Sequence, residues 1–290
     1  MLNKISNFCN NNNKSNHSNC AFVDDIALAE KVKYNSVPNM QYMLDRITEW
    51  TLDLKMEINP LKSVVLVIDL SIRNSFSNQE FKINNVVILI VDSSKLLGVM
   101  INNNVKWTQH VDVIIKKASK KIYMLIKLRQ YGFTVTELVS VYRTYIRSQI
   151  EYAIPTWGFS LIQADANRIR KIEMRCLSII LKCKVHSENY CIITSKLKLK
   201  PILDRIAQLG LKLGTTMYKS PRFRHIINPS IKLYNNTRSK NHFRSILCKR
   251  ERYRKSVIPA ITRELNNLDQ AQINKLDSIY DSLLALSTNC

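Results

Sequence analysis

Asp24 and Asp25 are adjacent carboxylates set between two short apolar runs, Ala21-Phe22-Val23 and Ile26-Ala27-Leu28. Apolar runs of this length around a polar pair predict two small buried strands with a tight turn at the acids. Ionised carboxylates are costly near apolar surroundings unless a cation compensates them. A hairpin carrying two of them at its tip offers hard oxygen ligands to a divalent cation. Two-metal phosphoryl-transfer sites use ligands of that kind. Adjacent aspartates are also ordinary turn formers, because Asp hydrogen-bonds its own backbone and tolerates turn conformations.

The second chemical feature is positive charge. Val111, Ile114, Ile115, Ala118, Ile122, Leu125 and Ile126 form an apolar stripe at helical spacing, and Lys116, Lys117, Lys120, Lys121, Lys127 and Arg129 occupy much of the remaining surface. No acid lies between Asp112 and Glu137. An ordinary solvated helix carries both signs, so this face predicts contact with a polyanion. A later helix carries Arg168, Arg170, Lys171, Arg175 and Lys182. From Lys219 to Lys255 Glu251 is the single acid, and the cluster around Arg250, Arg252 and Arg254 is the densest part. Such a cluster binds phosphates, acts as a nuclear address, or is simply a solvated charge run. The whole chain has 44 Lys+Arg against 22 Asp+Glu, a net +22. That balance favours nucleic acid first and an anionic membrane surface second.

Seven scattered cysteines do not make the disulfide framework of a secreted module. Cys176, Cys183, His186 and Cys191 lack the close-paired spacing of a zinc knuckle, and Cys176 and Cys183 fall on a predicted apolar helix face, so no zinc is expected. No apolar run reaches the length of a membrane span, and the amino-terminal segment lacks a signal-peptide core. The expectation is an intracellular protein, nuclear and cytoplasmic, without membrane attachment.

The elements that must position these groups read as follows. Met1 to Cys20 is Asn-rich without an acid and predicts disorder. Met40, Met43, Leu44, Ile47, Trp50 and Leu54 predict a helix, capped by Asn39 or Ser36 and broken at Pro60. Strands are predicted at Val64–Ile68, at Phe81–Ile83 and Val86–Val91 around Asn84-Asn85, and at Lys95–Ile101, with Gly98 permitting a bulge. After Trp107 long helices take over. One opens with the capping box Thr134-x-x-Glu137 and continues through Leu138, Val141, Tyr142, Tyr145 and Ile146. The next carries Ile169, Ile172, Cys176, Ile179 and Ile180, and a fourth starts at Pro201. A last helix is predicted between Ile261 and Leu286. The fold class is α+β, with a strand-containing layer first and helices after it.

Five stretches in order resemble one family. Phe22-Val23-Asp24-Asp25 resembles the Asp-Asp motif of reverse transcriptases. Trp50, then Leu54-Lys55-Met56-Glu57-Ile58-Asn59-Pro60-Leu61-Lys62-Ser63, looks like that family's following Asn-x-x-Lys-Ser segment. Lys95-Leu96-Leu97-Gly98-Val99, Val105-x-Trp107-x-x-His110, and Tyr142-x-x-Tyr145-Ile146-Arg147-Ser148-x-Ile150-Glu151-Tyr152-Ala153-x-Pro155-x-Trp157 complete the series. The similarity is to non-LTR retrotransposon enzymes of the jockey-like branch, from about Ala21 to about Leu181 and more loosely to Ile261.

The resemblance implies an RNA-directed DNA polymerase. Asp24 and Asp25 are then magnesium ligands and catalytic residues, and Lys62 helps protonate the leaving pyrophosphate. Leu97 and Gly98 grip the primer end, while the basic helices track the duplex of RNA template and DNA primer, with deoxynucleoside triphosphates as substrates. The implied domains are a carboxyl-terminal half of the palm at 21–106, a helical thumb at 107–218 and a basic region at 219–290, after the Asn-rich 1–20. The third carboxylate and the fingers lie upstream of the Asp-Asp motif in this family, and Met1 to Cys20 contains no Asp or Glu. The expectation is a truncated polymerase, inactive alone. The alternative is a non-catalytic nucleic-acid-binding protein that uses the helical half.

Overall fold

The computed structural model describes residues 17–22, 24–32, 36–69, 79–221, 223–227, 243–268 and 271–272. The fold is mixed α+β, with several helices and small sheets. The chain divides into two units, Met1–Val105 and Lys106–Cys290.

In the first unit, β1 (His17–Phe22) and β2 (Asp25–Glu30) form an antiparallel hairpin. Its register runs from His17 opposite Glu30 to Phe22 opposite Asp25, which leaves a two-residue connection. Strand β1 begins inside the Asn-rich stretch for which disorder is expected, because β2 needs a partner for its backbone groups. The remainder of that stretch, Met1–Asn16, lies outside the described residues. The hairpin is also not buried as expected: Phe22 is 60% exposed and Ile26 37%. Among the described residues β1 and β2 pair only with each other. A two-stranded sheet without a covering layer leaves its apolar side chains in solvent.

Helix α1 (Met40–Asp53) buries Met43, Ile47 and Thr51. Asn39 precedes it without a side-chain cap; instead the Asn39 N–H donates to the Glu30 carboxylate at 2.9 and 3.0 Å, tying the end of β2 to the start of α1. The helix covers a three-stranded sheet of order β3-β5-β4, built from β3 (Val64–Leu66), β4 (Phe81–Ile83) and β5 (Val86–Val91). Asn84 and Asn85, with φ of 49° and 63°, close the β4–β5 hairpin in the left-handed conformation that Asn tolerates. Phe81, Ile83 and Ile88 form the core with Met40, Leu44, Ile58 and Val65 against them. Gln41 satisfies the backbone of β4, accepting from the Lys82 N–H at 2.8 Å and donating to its carbonyl at 2.9 Å. The single strand expected at Lys95–Ile101 is instead a third hairpin, β6 (Ser93–Leu96) and β7 (Val99–Asn102), turned at Leu97-Gly98.

The second unit is helical. Helix α2 (Thr108–Gln130) inserts Val111, Ile114, Ala118, Ile122 and Leu125 into the core. Helix α3 (Val135–Val141) starts with the expected capping box, in which Glu137 accepts from the Thr134 N–H at 2.8 Å. It passes into a π-helical turn, Tyr142–Arg147, then into α4 (Ser148–Glu151) and α5 (Ile154–Trp157). Helix α6 (Gln163–Leu181) packs on α2 and ends at Lys182, whose φ is 57°. Cys183 therefore lies past the helix end and is exposed, while Cys176 is buried as a small hydrophobe.

Helix α7 (Tyr190–Lys196) follows, then α8 (Asp204–Lys219), α9 (Arg224–Ile227), α10 (Glu251–Arg254) and α11 (Val257–Asn266). Pro201 sits in the turn before α8 rather than within it, its carbonyl accepting from the Asp204 and Arg205 N–H groups at 3.1 and 3.2 Å. Tyr218, Ile227, Phe243, Ile261 and Leu265 form one cluster, joining residues on both sides of position 219. Much of the expected basic tail, 228–242, and most of the helix expected between Ile261 and Leu286 beyond α11 lie outside the described residues. No helix among the described residues is long and apolar enough to cross a membrane.

Candidate functional site

Asp24 occupies the turn of the first hairpin and Asp25 is the first residue of β2; both are exposed. Exposure removes the burial cost anticipated for them, because water can solvate both carboxylates. Their oxygens are suitable ligands for magnesium in type. A two-ion centre needs carboxylates on opposing sides of the metals. Among the described residues no group of three or more acids, histidines or cysteines is placed to hold a metal ion. Two neighbouring acids on one hairpin tip supply one side only, so the described residues do not make up a two-ion donor set.

Lys62 lies in a tight turn organised by Asn59. The Asn59 carbonyl accepts from the N–H groups of Lys62 and Ser63, each at 3.2 Å, and from the Ser63 hydroxyl at 2.9 Å. The Asn59 side chain accepts from the Leu61 N–H at 3.0 Å. This turn presents Lys62 to solvent immediately before β3. Leu97 and Gly98 form the two-residue loop of the β6–β7 hairpin, with φ of 45° and 85°. Gly tolerates that conformation, but Leu has a Cβ that makes it unfavourable. Strained loop tips of this sort cluster at sites that clamp a ligand.

In the helical unit the lysines are distributed by the geometry of α2. Residues 116, 120, 123 and 127 follow one another at spacings of four, three and four, so they share a stripe, opposite the buried positions 111, 114, 118, 122 and 125. Lys116, Lys117 and Lys120 are exposed. Burying each valine, isoleucine or leucine on the inner face is worth about 1.5–3 kcal/mol. Like charges at i,i+4, such as Lys116 with Lys120 and Lys117 with Lys121, cost only about 0.2–0.5 kcal/mol each. Core packing therefore decides the orientation, and the lysines are held outward despite their mutual repulsion.

Lys121 reaches across to the π-helical turn, donating to the Tyr145 carbonyl at 2.9 Å, and Lys127 lies 5.5 Å from the centre of the Tyr123 ring. Lys127 and Arg129 sit in the last turn, where cations interact favourably with the helix dipole. Asp112 does not offset the stripe, because it is engaged by Arg168, which also donates to Asp165 at 3.0 Å.

The other expected basic contacts differ in kind. Lys171 is exposed, but Arg170 is half-buried with an enclosed Nε. Arg250 and Arg252 are exposed. Arg254 forms a fork with Glu251 through contacts of 2.6 and 2.8 Å. The hydrogen bonds from Arg254 pull the Glu251 carboxyl down to about 2. A nearby carboxylate thus satisfies one of the guanidinium groups expected to meet phosphate.

His110 is buried, with edge-to-face contacts to Trp107 at 6.3 Å and to Trp157 at 5.1 Å between ring centres. Burial, and then the charge of Lys117, lower its pKa. The Trp-x-x-His spacing and the distant Trp157 thus meet in one aromatic cluster that anchors α2 to α5.

Sequence reading missed the polar centre of this unit. Glu173 is fully buried and accepts from the Tyr142 hydroxyl at 2.9 Å, the Ile202 N–H at 3.0 Å, the Tyr190 hydroxyl and, at 3.5 Å, Arg147. Arg147 also donates to Glu151 at 2.6 Å and to the Lys200 carbonyl at 2.5 Å. Burial foremost, and then the Glu173 charge, raise the pKa of Tyr142 and Tyr190, keeping both neutral as donors. Burial alone would raise the Glu151 carboxyl, but hydrogen bonds from Arg205 and Arg147 outweigh it and lower it. A Glu on the inner face of an apolar stripe was the available sequence signal.

No family model matches the chain, and neither a curated protein nor a solved structure matches it.

Proposed function

We propose that this chain is a reverse-transcriptase-like polypeptide of the non-LTR retrotransposon kind, whose helical unit holds nucleic acid as a polymerase thumb does. The observation that carries the nucleic-acid part is the outward stripe of α2, where Lys116, Lys117 and Lys120 are exposed on a helix whose other face is locked into the core. The polymerase part is supported by the order of five motifs, from Asp24-Asp25 through Lys62 and Leu97-Gly98 to Trp107-x-x-His110 and Trp157. In this reading β1–β7 with α1 belong to a palm and α2–α8 to a thumb. The partners are an RNA template and a DNA primer.

A second reading, a non-catalytic nucleic-acid-binding protein, is favoured by the one-sided carboxylate set at Asp24 and Asp25. Both readings require salt-sensitive binding. If about six phosphates are engaged on a B-form duplex, log K falls against log salt with a slope near −5. The measurement is binding to duplex DNA and to an RNA–DNA hybrid across a salt series. The triple variant Lys116→Gln, Lys117→Gln, Lys120→Gln is expected to flatten the slope by about 3. Affinity indifferent to salt would sink the proposal.

A further inference from the structure

We propose that Tyr123 and Tyr145 are stacking platforms for unpaired nucleobases, so that the lysine face of α2 takes a single-stranded segment of nucleic acid. The inference rests on the nucleic-acid reading above and specifies the form of the ligand. Tyr123 is 65% exposed and Tyr145 54%. A single exposed tyrosine is unremarkable on a protein surface. These two differ in that each is paired with a lysine of α2. Tyr123 shares a stripe with Lys116, Lys120 and Lys127, and the Lys127 ammonium lies 5.5 Å from its ring centre. The Lys121 ammonium lies 6.0 Å from the ring centre of Tyr145 and is fixed by its 2.9 Å bond to the Tyr145 carbonyl.

The backbone supplies an independent observation. Helical periodicity from Leu138 onward places Tyr145 with the core residues Tyr142 and Ile146. The π-helical turn Tyr142–Arg147 instead keeps Tyr142 and Ile146 fully buried and turns Tyr145 out beside Lys121. Such wide turns are rare and occur frequently at functional sites. Each ring thus stands beside an ammonium group, as each base of a strand stands beside a phosphate. Bases inside a duplex stack on one another and present only edges, so the rings gain no stacking partner from a blunt duplex.

The test uses the full chain and two fluorescent probes, an oligothymidylate of about 16 nucleotides, the upper end of known site sizes, and a blunt duplex of the same length. Each ring contributes about 5- to 150-fold in single-strand affinity. The Tyr123→Ala, Tyr145→Ala double variant is expected to lose at least about 25-fold on oligothymidylate, with duplex affinity and both salt slopes unchanged. Tyr123→Phe, Tyr145→Phe keeps the rings and retains single-strand binding. Tyr123→Leu, Tyr145→Leu keeps the bulk without the aromatic face, and behaves like the alanine variant. Full single-strand affinity in the alanine and leucine variants overturns stacking, and so does equal weakening on both probes. In those cases salt-dependent binding by the native chain leaves the nucleic-acid reading standing. A native chain that binds neither probe overturns both.

Discussion

Glu173 shows how much one buried charge can organise. It receives hydrogen bonds from two tyrosine hydroxyls, a backbone N–H and Arg147, on segments that are distant in sequence. A lone carboxylate in that position would be prohibitive, and four donors make it tolerable. Truncating Glu173 leaves two tyrosine hydroxyls and the Ile202 N–H buried without this acceptor, at about 1–3 kcal/mol each. Glu173→Ala is therefore expected to destabilise the chain by about 3–5 kcal/mol. It leaves the Tyr142 and Tyr190 hydroxyls without their acceptor, while Arg147 keeps Glu151 and the Lys200 carbonyl. Urea unfolding followed by circular dichroism measures the change. A loss below about 1 kcal/mol, the scale of a single exposed ion pair, would mean that water replaces the carboxylate without penalty.

Close helix packing is decided by two glycines on α8. A Cβ at Gly214 would stand 2.5 Å from Ile261 Cγ2 on α11, and one at Gly210 would run into the ring of Phe159. The Ile261 methyl belongs to a β-branched side chain in a packed cluster and cannot swing away freely. Gly214→Ala is expected to lower stability by about 1–3 kcal/mol through overpacking, despite the better helix propensity of alanine. Thermal unfolding checks this. A stabilised variant would show that α8 and α11 separate at no cost. At this scale the amphipathic stripes of α1, α2 and α6, the capping box and the Asn84-Asn85 turn were all readable, because each depends on residues within one or two turns of the chain.

The molecule as a whole bears on catalysis through what must converge. Phosphoryl transfer depends on positioning and on charge stabilisation by groups from several elements. The first hairpin brings two exposed carboxylates, and its strands pair only with each other among the described residues. The 290-residue chain alone is expected to extend no primer on an RNA template. On the polymerase reading proposed above, a fusion behind the fingers and Asp-bearing segment of a non-LTR retrotransposon reverse transcriptase is expected to extend the primer, and Asp24→Ala with Asp25→Ala abolishes that extension. A silent fusion that binds template and primer normally would count against the polymerase reading.

The sequence by itself determined the local features: which stretches alternate or repeat at helical spacing, where Asn84-Asn85 turns the chain, and which helix carries lysines with no acid among them. It also determined the order of the motifs. The tertiary structure decided how those features are used. It left the Asp24-Asp25 hairpin exposed, split Lys95–Ile101 into two strands, turned Tyr145 outward and engaged Arg254 with Glu251. It also assembled the Glu173 network, whose partners lie 31, 29, 26 and 17 positions away. The reason is physical: periodicity reports the environment of one residue relative to its own helix or strand. Burial of a charge depends on donors arriving from elsewhere in the chain, and no local pattern encodes their arrival.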